Sequence, residues 1–183
     1  MPARVPPNAE SSTRRRILAA TFVVLARSGR KRLLLSEVAA EAKVSRPTLY
    51  RYFPSKEELL AAFGLYEQDI FDAGMAQAVA GLRGTERLDA ALQFVVDFQH
   101  TYSLGFLADT EPEHVLAQMK RVMPILHERI ARLIPGENAD LAAATVVRVA
   151  VCHYLIAGGD RDRFLAELRY AAGIDPLRTS RSA

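Results

Sequence analysis

The sequence of 183 residues contains one cysteine, no tryptophan and only four histidines. The single Cys152 excludes a disulfide within the chain and a cysteine-rich zinc site, and it suits a reducing cytosol, so we expect a cytoplasmic protein. Three of the histidines, His100, His114 and His127, lack the close spacing of metal ligands. We therefore predict neither a metal nor a cofactor.

Long hydrophobic runs are also lacking. Residues 17–26 form a short apolar stretch after Arg14, Arg15 and Arg16, which superficially resembles an export signal. However, four cations follow this stretch at once, at positions 27, 30, 31 and 32, and positive charge beyond the apolar core opposes export. We interpret the stretch as a buried amphipathic helix and expect no membrane partner.

Charge is unevenly distributed along the chain. Residues 1–60 contain 12 Lys and Arg against 5 Asp and Glu, a net charge of +7, whereas residues 61–183 carry a net charge of −4. This asymmetry predicts a polyanionic partner for the first part of the chain, with a simple solvated basic face as the alternative.

Helical periodicity without sustained strand alternation predicts an all-α fold of about nine helices. We expect a disordered arm at residues 1–12, where three prolines occur, and a three-helix helix-turn-helix domain at residues 13–60. A C-terminal helical domain for ligand binding and dimerisation would follow at residues 61–175, and a flexible tail at residues 176–183.

Residues 38–60 have the pattern of two short helices joined by a tight turn, followed by the start of a longer helix. Ser45 can cap the second helix, and Pro47 lies in its first turn, where the missing N–H costs nothing. Leu49 and Phe53 are four residues apart and would anchor this helix to the others. The other faces carry Arg46, Pro47, Thr48, Tyr50, Arg51 and Tyr52, of which the arginines and hydroxyls suit DNA bases and phosphates.

Residues 13–60 resemble the DNA-binding domain of the TetR family of bacterial transcriptional regulators. The resemblance is carried by Val38-Ala39, Ala42-Lys43-Val44-Ser45, Pro47-Thr48-Leu49-Tyr50, Tyr52-Phe53 and Lys56-Glu57-Glu58-Leu59-Leu60. It implies a homodimer that represses transcription by binding a double-stranded, palindromic operator and that a small apolar ligand releases.

The family motif assigns roles to individual positions. It implies that Thr48, Tyr50, Tyr52 and Lys56 contact phosphates, while Arg46, Pro47 and Arg51 face bases. Arg14 is a further candidate, because a phosphate beside it would offset the unfavourable interaction of cations with the start of a helix.

Two positions depart from the family pattern. Lys43 occupies the turn position that usually holds glycine, which predicts either a strained turn or an extra phosphate contact. Leu34-Leu35 stands where the family usually places threonine at the start of the second helix, so one phosphate contact is either missing or moved to Ser36.

The last two helices are the predicted dimer interface, because residues 142–152 are apolar nearly all round and Phe164, Leu165, Leu168 and Ala171 form a matching stripe. Burial within one subunit is the alternative. The predicted interface residues are Val149, Cys152, Phe164 and Leu168.

A mixture of aromatic, methionine and histidine side chains suits an apolar ligand site with a few polar anchors. Ordinary core packing is the alternative for each of them. The predicted ligand-binding residues are Phe94, Phe98, His100, Tyr102, Met119, Met123, His127 and Tyr154.

We therefore predict a ligand-responsive repressor that is not an enzyme. A helix-turn-helix protein that acts through a protein partner is one alternative. A small helical enzyme on the same scaffold is another, although the sequence offers no pairing of a nucleophile with a base and no phosphate-binding loop.

Overall fold

The computed structural model describes residues 7–101, 111–156 and 160–174. These ranges contain eight helices and no strand: α1 (Pro7–Arg32), α2 (Leu35–Glu41), α3 (Arg46–Tyr52), α4 (Lys56–Ala78), α5 (Gly84–Thr101), α6 (Pro112–Ala131), α7 (Ala139–Ile156) and α8 (Arg161–Ala171). The predicted all-α class is confirmed. The predicted tail at residues 176–183 and the candidate ligand residue Tyr102 lie outside the described residues.

The chain divides into two compact units, residues 1–70 and residues 71–183. The division falls inside α4, which is continuous from Lys56 to Ala78. The sequence places the boundary earlier, between residues 60 and 61, because the recognisable motif ends at Leu60. The helix that contains the end of the motif, α4, continues to Ala78.

The first helix begins at Pro7, inside the segment for which the sequence predicts a disordered arm. Pro7 is compatible with this helix start, because its missing N–H would have no partner within the helix. Residues 1–6 of the predicted arm are outside the description. Near its other end α1 is interrupted at Gly29, whose φ of 70° and ψ of 169° are not helical.

The core of the first unit is formed by apolar faces of short helices, which are too short to be stable without packing. α2 packs on both α1 and α3. α2 buries Val38 and Ala39, as the sequence predicts, and Leu49 of α3 and Phe53, which follows α3, are also buried. Leu49 is completely inaccessible to solvent, so it fixes which side of α3 faces inward.

The second unit has a core built from α5, α6, α7 and α8. Its largest completely or nearly completely buried side chains include Leu88, Leu92, Val96, Val146, Phe164 and Leu168. Ion pairs reinforce the attachment of α8 to α5, since Arg169 donates to both carboxylate oxygens of Asp89 at 2.6 and 2.8 Å, and Arg161 donates to Asp97. The hydrogen bond from Arg169 holds the pKa of Asp89 below its usual value, so the pair stays charged.

Burial of Phe164 and Leu168 corrects the predicted dimer interface. Phe164 is 2% exposed and Leu168 is 0% exposed within a single chain, so neither side chain has surface left to offer a partner. Both belong to the core that α8 shares with α5 and α7. Helical spacing identified the apolar stripe of α8 correctly, but this stripe faces the chain's own core.

By length and composition alone, α7 could also cross a membrane. One such helix is weak evidence, because core helices of other proteins pass the same test. Here α7 buries Ala143, Val146, Val147 and Ala150 in the core of the second unit, while its apolar Leu141 and Ile156 are exposed.

Two glycines of α4 predict opposite effects of the same substitution. A Cβ at Gly74 would lie 2.6 Å from the Phe94 ring, whereas a Cβ at Gly64 would meet nothing within 4 Å. In a helix, alanine is favoured over glycine by about 1 kcal/mol. We expect Gly64→Ala to raise the free energy of unfolding by about that amount in urea titrations. Gly74→Ala should lower it, because Phe94 must move; equal gains from both variants would contradict this packing.

Candidate nucleic-acid interface

The start of α3 is held by Ser45, as the sequence predicts. The Ser45 hydroxyl accepts a hydrogen bond from the backbone N–H of Thr48 at 3.2 Å and is 2.8 Å from the Thr48 hydroxyl. Pro47 follows in the first turn. If Ser45 donates to Thr48, the Thr48 hydroxyl keeps its own proton for another acceptor. Thr48 can therefore be positioned by the cap and still donate to a phosphate.

The opposite side of α3 from Leu49 is open to solvent. Arg46, Pro47 and Arg51 are exposed, and Tyr50 is 50% exposed. Tyr52 is half-buried, and the Arg51 guanidinium lies 5.4 Å from the centre of its ring. α3 thus presents two arginines, a proline and a phenol on one accessible surface.

Arginines of α1 lie beside this surface. The Arg14 guanidinium is 5.5 Å from the centre of the Phe53 ring, and Arg16 Nη2 is 3.5 Å from the Lys43 carbonyl oxygen, to which it donates. Because α1 begins at Pro7, Arg14 does not lie in its first turn. The predicted unfavourable interaction of Arg14 with the helix dipole is therefore wrong, since that effect is confined to the terminal turn.

Lys56 stands at the start of α4, where Ser55 forms the cap. The Ser55 hydroxyl accepts from the backbone N–H of Glu58 at 3.1 Å and lies 3.4 Å from the Glu58 carboxylate. The Lys56 ammonium donates to the backbone carbonyl of Lys31 at 2.9 Å. One of its three donors is committed to that bond, which leaves the others for a phosphate.

The two departures from the family motif have distinct structural consequences. Lys43 has a φ of 53°, so a residue with a side chain occupies the left-handed conformation that glycine adopts without strain. Leu34 precedes α2, is 56% exposed, and provides no side-chain hydrogen bond to cap the helix. Ser36 is half-buried within the first turn of α2.

The second unit carries an open groove between α7 and α8, with a volume of about 850 Å³. None of the predicted ligand residues that the structure describes lines it. The lining residues include Leu141, Ala142, Thr145, Val149, Ala166 and Tyr170. Of the predicted interface residues on α7, half-buried Val149 lines the groove, whereas Cys152 is exposed but does not line it. The groove therefore lies between the two helices predicted to form the interface, although only Val149 of the four predicted interface residues lines it.

Two of the predicted ligand residues lie in an aromatic cluster. The ring centres of Phe94 and Phe98 are 5.7 Å apart, and each lies close to Phe71, at 5.3 and 5.1 Å. Phe71 was missed because sequence spacing does not show which helices meet.

The other described members of the predicted ligand set lie on α5, α6 and α7. Met123 packs against the core, and Met119 and Tyr154 are half-buried. His100 donates through Nδ1 to the Val96 carbonyl at 3.0 Å, and His127 Nε2 is 3.1 Å from the Asp140 carbonyl. Each histidine thus has one ring nitrogen engaged by a backbone carbonyl.

Two titratable residues of interest were not predicted. Burial raises the pKa of Glu67 in α4 to about 7, so its carboxyl changes charge near neutral pH. Burial also lowers the pKa of His153, whose Nε2 is buried without a hydrogen-bond partner among the described residues. Glu67 could have been noticed as a carboxylate four residues from both Phe63 and Phe71 on one helix face.

Over the described ranges, no group of three or more His, Cys, Asp and Glu residues is arranged to hold a metal ion.

Residues 17–63 match the family model described as bacterial regulatory proteins, tetR family. Over 91 residues the chain is 36% identical to the HTH-type transcriptional repressor LfrR of Mycolicibacterium smegmatis. This matched region covers 50% of this chain and 46% of LfrR. The chain is 44% identical over 55 residues to the HTH-type transcriptional repressor KstR of Rhodococcus jostii, covering 30% and 26% of the two chains. The chain thus spans less than half the length of these curated relatives.

The crystal structure of a TetR-like transcriptional regulator from Rhodococcus sp. RHA1 resembles the whole fold. The TM-score is 0.67 at 24% sequence identity, over 98% of this chain and 100% of the other. At this identity the similarity establishes the architecture alone, whereas the match to the family model lies within the first unit.

Proposed function

We propose that this chain is a transcriptional repressor of the TetR family, whose model residues 17–63 match, and that it binds a palindromic DNA operator as a homodimer. The observation that carries the proposal is the accessible surface of α3, where Arg46, Tyr50 and Arg51 project from a helix anchored by Leu49. The curated relatives, which are named as transcriptional repressors, support the same function.

In this proposal each side chain has a physical task. Thr48, Tyr50 and Lys56 donate hydrogen bonds to phosphates, and half-buried Tyr52 does so from the edge of the surface. Arg46 and Arg51 reach base edges in the major groove, where a guanidinium can donate two hydrogen bonds to guanine. Pro47 packs against bases, and Arg14 adds a phosphate contact from α1.

We further propose that the protein is cytoplasmic and has no enzymatic activity. The repressor names of the relatives favour this over a helical enzyme on the same scaffold. They also favour direct DNA binding over action through a protein partner.

Phosphate and base contacts can be separated with Tyr50→Phe and Arg51→Ala. We expect Tyr50→Phe to weaken binding to operator and random DNA alike, by about 0.5–1.5 kcal/mol, because it removes one phosphate hydrogen bond. Arg51→Ala should cost about 1–3 kcal/mol on the operator and relax the preference at one position. Fluorescence anisotropy with an operator selected from random-sequence DNA measures both.

Arg83→Ala is the matched control, since Arg83 is an exposed arginine of the second unit. Equal losses on operator and random DNA for Arg51→Ala would contradict base reading by this residue. Wild-type protein that never prefers the selected DNA to random DNA, at any salt concentration, would overturn the repressor proposal itself.

We place the dimer interface at the α7–α8 groove. Leu141 is 68% exposed and Tyr170 is 87% exposed, while Val149 and Ala166 line the floor between them. Large apolar side chains exposed together on one surface favour burial against a second copy. Val149 and Cys152 remain proposed interface residues, and Ala166 and Tyr170 take the place of Phe164 and Leu168.

Leu141→Arg tests this interface. We expect it to convert a dimer into a monomer in analytical ultracentrifugation, because an unpaired cation would be buried at the contact. The affinity for a two-half-site operator should then fall by at least tenfold. Leu116→Arg is the control, since Leu116 is 54% exposed on α6 and does not line the groove. A dimer that survives Leu141→Arg would place the interface elsewhere.

We also propose that a small apolar ligand binds in the second unit and releases DNA. The cluster of Phe71, Phe94 and Phe98 supports an apolar site there, and the other predicted ligand residues remain candidates for its polar anchors.

A thermal-shift screen of small aromatic and aliphatic compounds tests the ligand site. A true effector should raise the melting temperature of the wild-type protein, because it binds the folded state, and should weaken operator binding. Phe98→Ala should reduce the shift, whereas Leu65→Ala, at an exposed leucine of the first unit, should not. A compound that stabilises both variants equally would bind at another site.

A further inference from the structure

The first unit contains a basic segment, Arg30–Arg32, that the helix-turn-helix motif does not use. Gly29 takes the chain out of the helical path immediately before these three cations. Lys31 and Arg32 are exposed, and α2 begins shortly afterwards at Leu35. This segment therefore contributes three of the cations that make residues 1–60 strongly basic.

Lys56 connects the basic segment to the proposed phosphate contacts. Its ammonium donates to the Lys31 carbonyl at 2.9 Å. If the same ammonium also binds a phosphate, the Lys31 carbonyl and that phosphate are both in contact with Lys56. Arg32 is the next residue and is exposed, so its long side chain starts one residue from the carbonyl that Lys56 contacts.

The start of α2 lacks the threonine that the TetR family usually places there for a phosphate contact. Leu34 stands at this position, is 56% exposed and makes no side-chain hydrogen bond at the helix start. A hydrocarbon side chain cannot donate to a phosphate. Arg32, two residues earlier, offers five N–H donors in a planar arrangement that suits phosphate oxygens.

We propose that Arg32, with Lys31 beside it, binds the DNA backbone and replaces the phosphate contact that the start of α2 lacks. The inference rests on the proposed DNA-binding function. A phosphate contact carries no sequence information, so it should strengthen binding to operator and random DNA by the same factor.

Arg32→Gln in the full-length protein tests this assignment through salt dependence. Each phosphate contact contributes about 0.9 to the slope of log affinity against log salt concentration. We expect the slope to become shallower by about that amount on both operator and random DNA. The affinity deficit of the variant should consequently shrink about threefold between 50 and 200 mM salt.

Arg32→Lys and Arg83→Gln are the matched variants. Arg32→Lys keeps the charge and should retain the wild-type slope, while Arg83→Gln removes an exposed cation of the second unit and should leave the slope unchanged. Phosphate-ethylation interference provides a second readout: one phosphate that blocks wild-type binding when ethylated should lose its effect for Arg32→Gln, even if that variant is less stable.

A wild-type slope and an unchanged ethylation pattern for Arg32→Gln would overturn the inference. A loss confined to operator DNA would also overturn it, because Arg32 would then read a base. Failure of the proposed function has a different signature, namely wild-type protein that shows no preference for operator over random DNA.

Discussion

The burial of Leu49 and Phe53 is the constraint on which the proposed DNA surface depends. α3 spans Arg46–Tyr52, too short to persist alone, so it exists because these two side chains are buried in the first unit. Their position fixes the rotation of the helix. Once Leu49 faces inward, Arg46, Tyr50 and Arg51 must face outward, and the recognition surface follows from core packing.

Neighbouring hydrogen bonds turn this orientation into a rigid arrangement. The Ser45 cap fixes the first turn of α3, and Ser55 does the same for α4. The Lys56–Lys31 bond ties the start of α4 to the end of α1. In the proposed complex with DNA, these bonds would reduce the ordering that binding requires and so leave more of the contact energy as affinity.

The helix-turn-helix could be predicted in detail because its signals are local. The cap at Ser45, Pro47 in the first turn, and the four-residue spacing of Leu49 and Phe53 each determine structure within a single turn. Sequence spacing gave a wrong prediction for α8.

Spacing identified Phe164 and Leu168 as one stripe, but it could not show that the stripe meets α5 and α7 of the same chain. The choice between core and interface depends on long-range packing that a periodic pattern does not contain. For the same reason, the sequence did not show that Phe71 packs against Phe94 and Phe98.

The bond between Lys56 and position 31 also bears on how sequences of related proteins should be compared. Its acceptor is a backbone carbonyl, which every amino acid supplies, so position 31 can vary freely without losing the bond. Position 56 needs a long side chain with a donor at its end. In an alignment, position 31 would therefore vary while position 56 stays a lysine or another long donor, and the two positions would show no correlated substitutions. A search for contacts based on such correlations would miss this hydrogen bond.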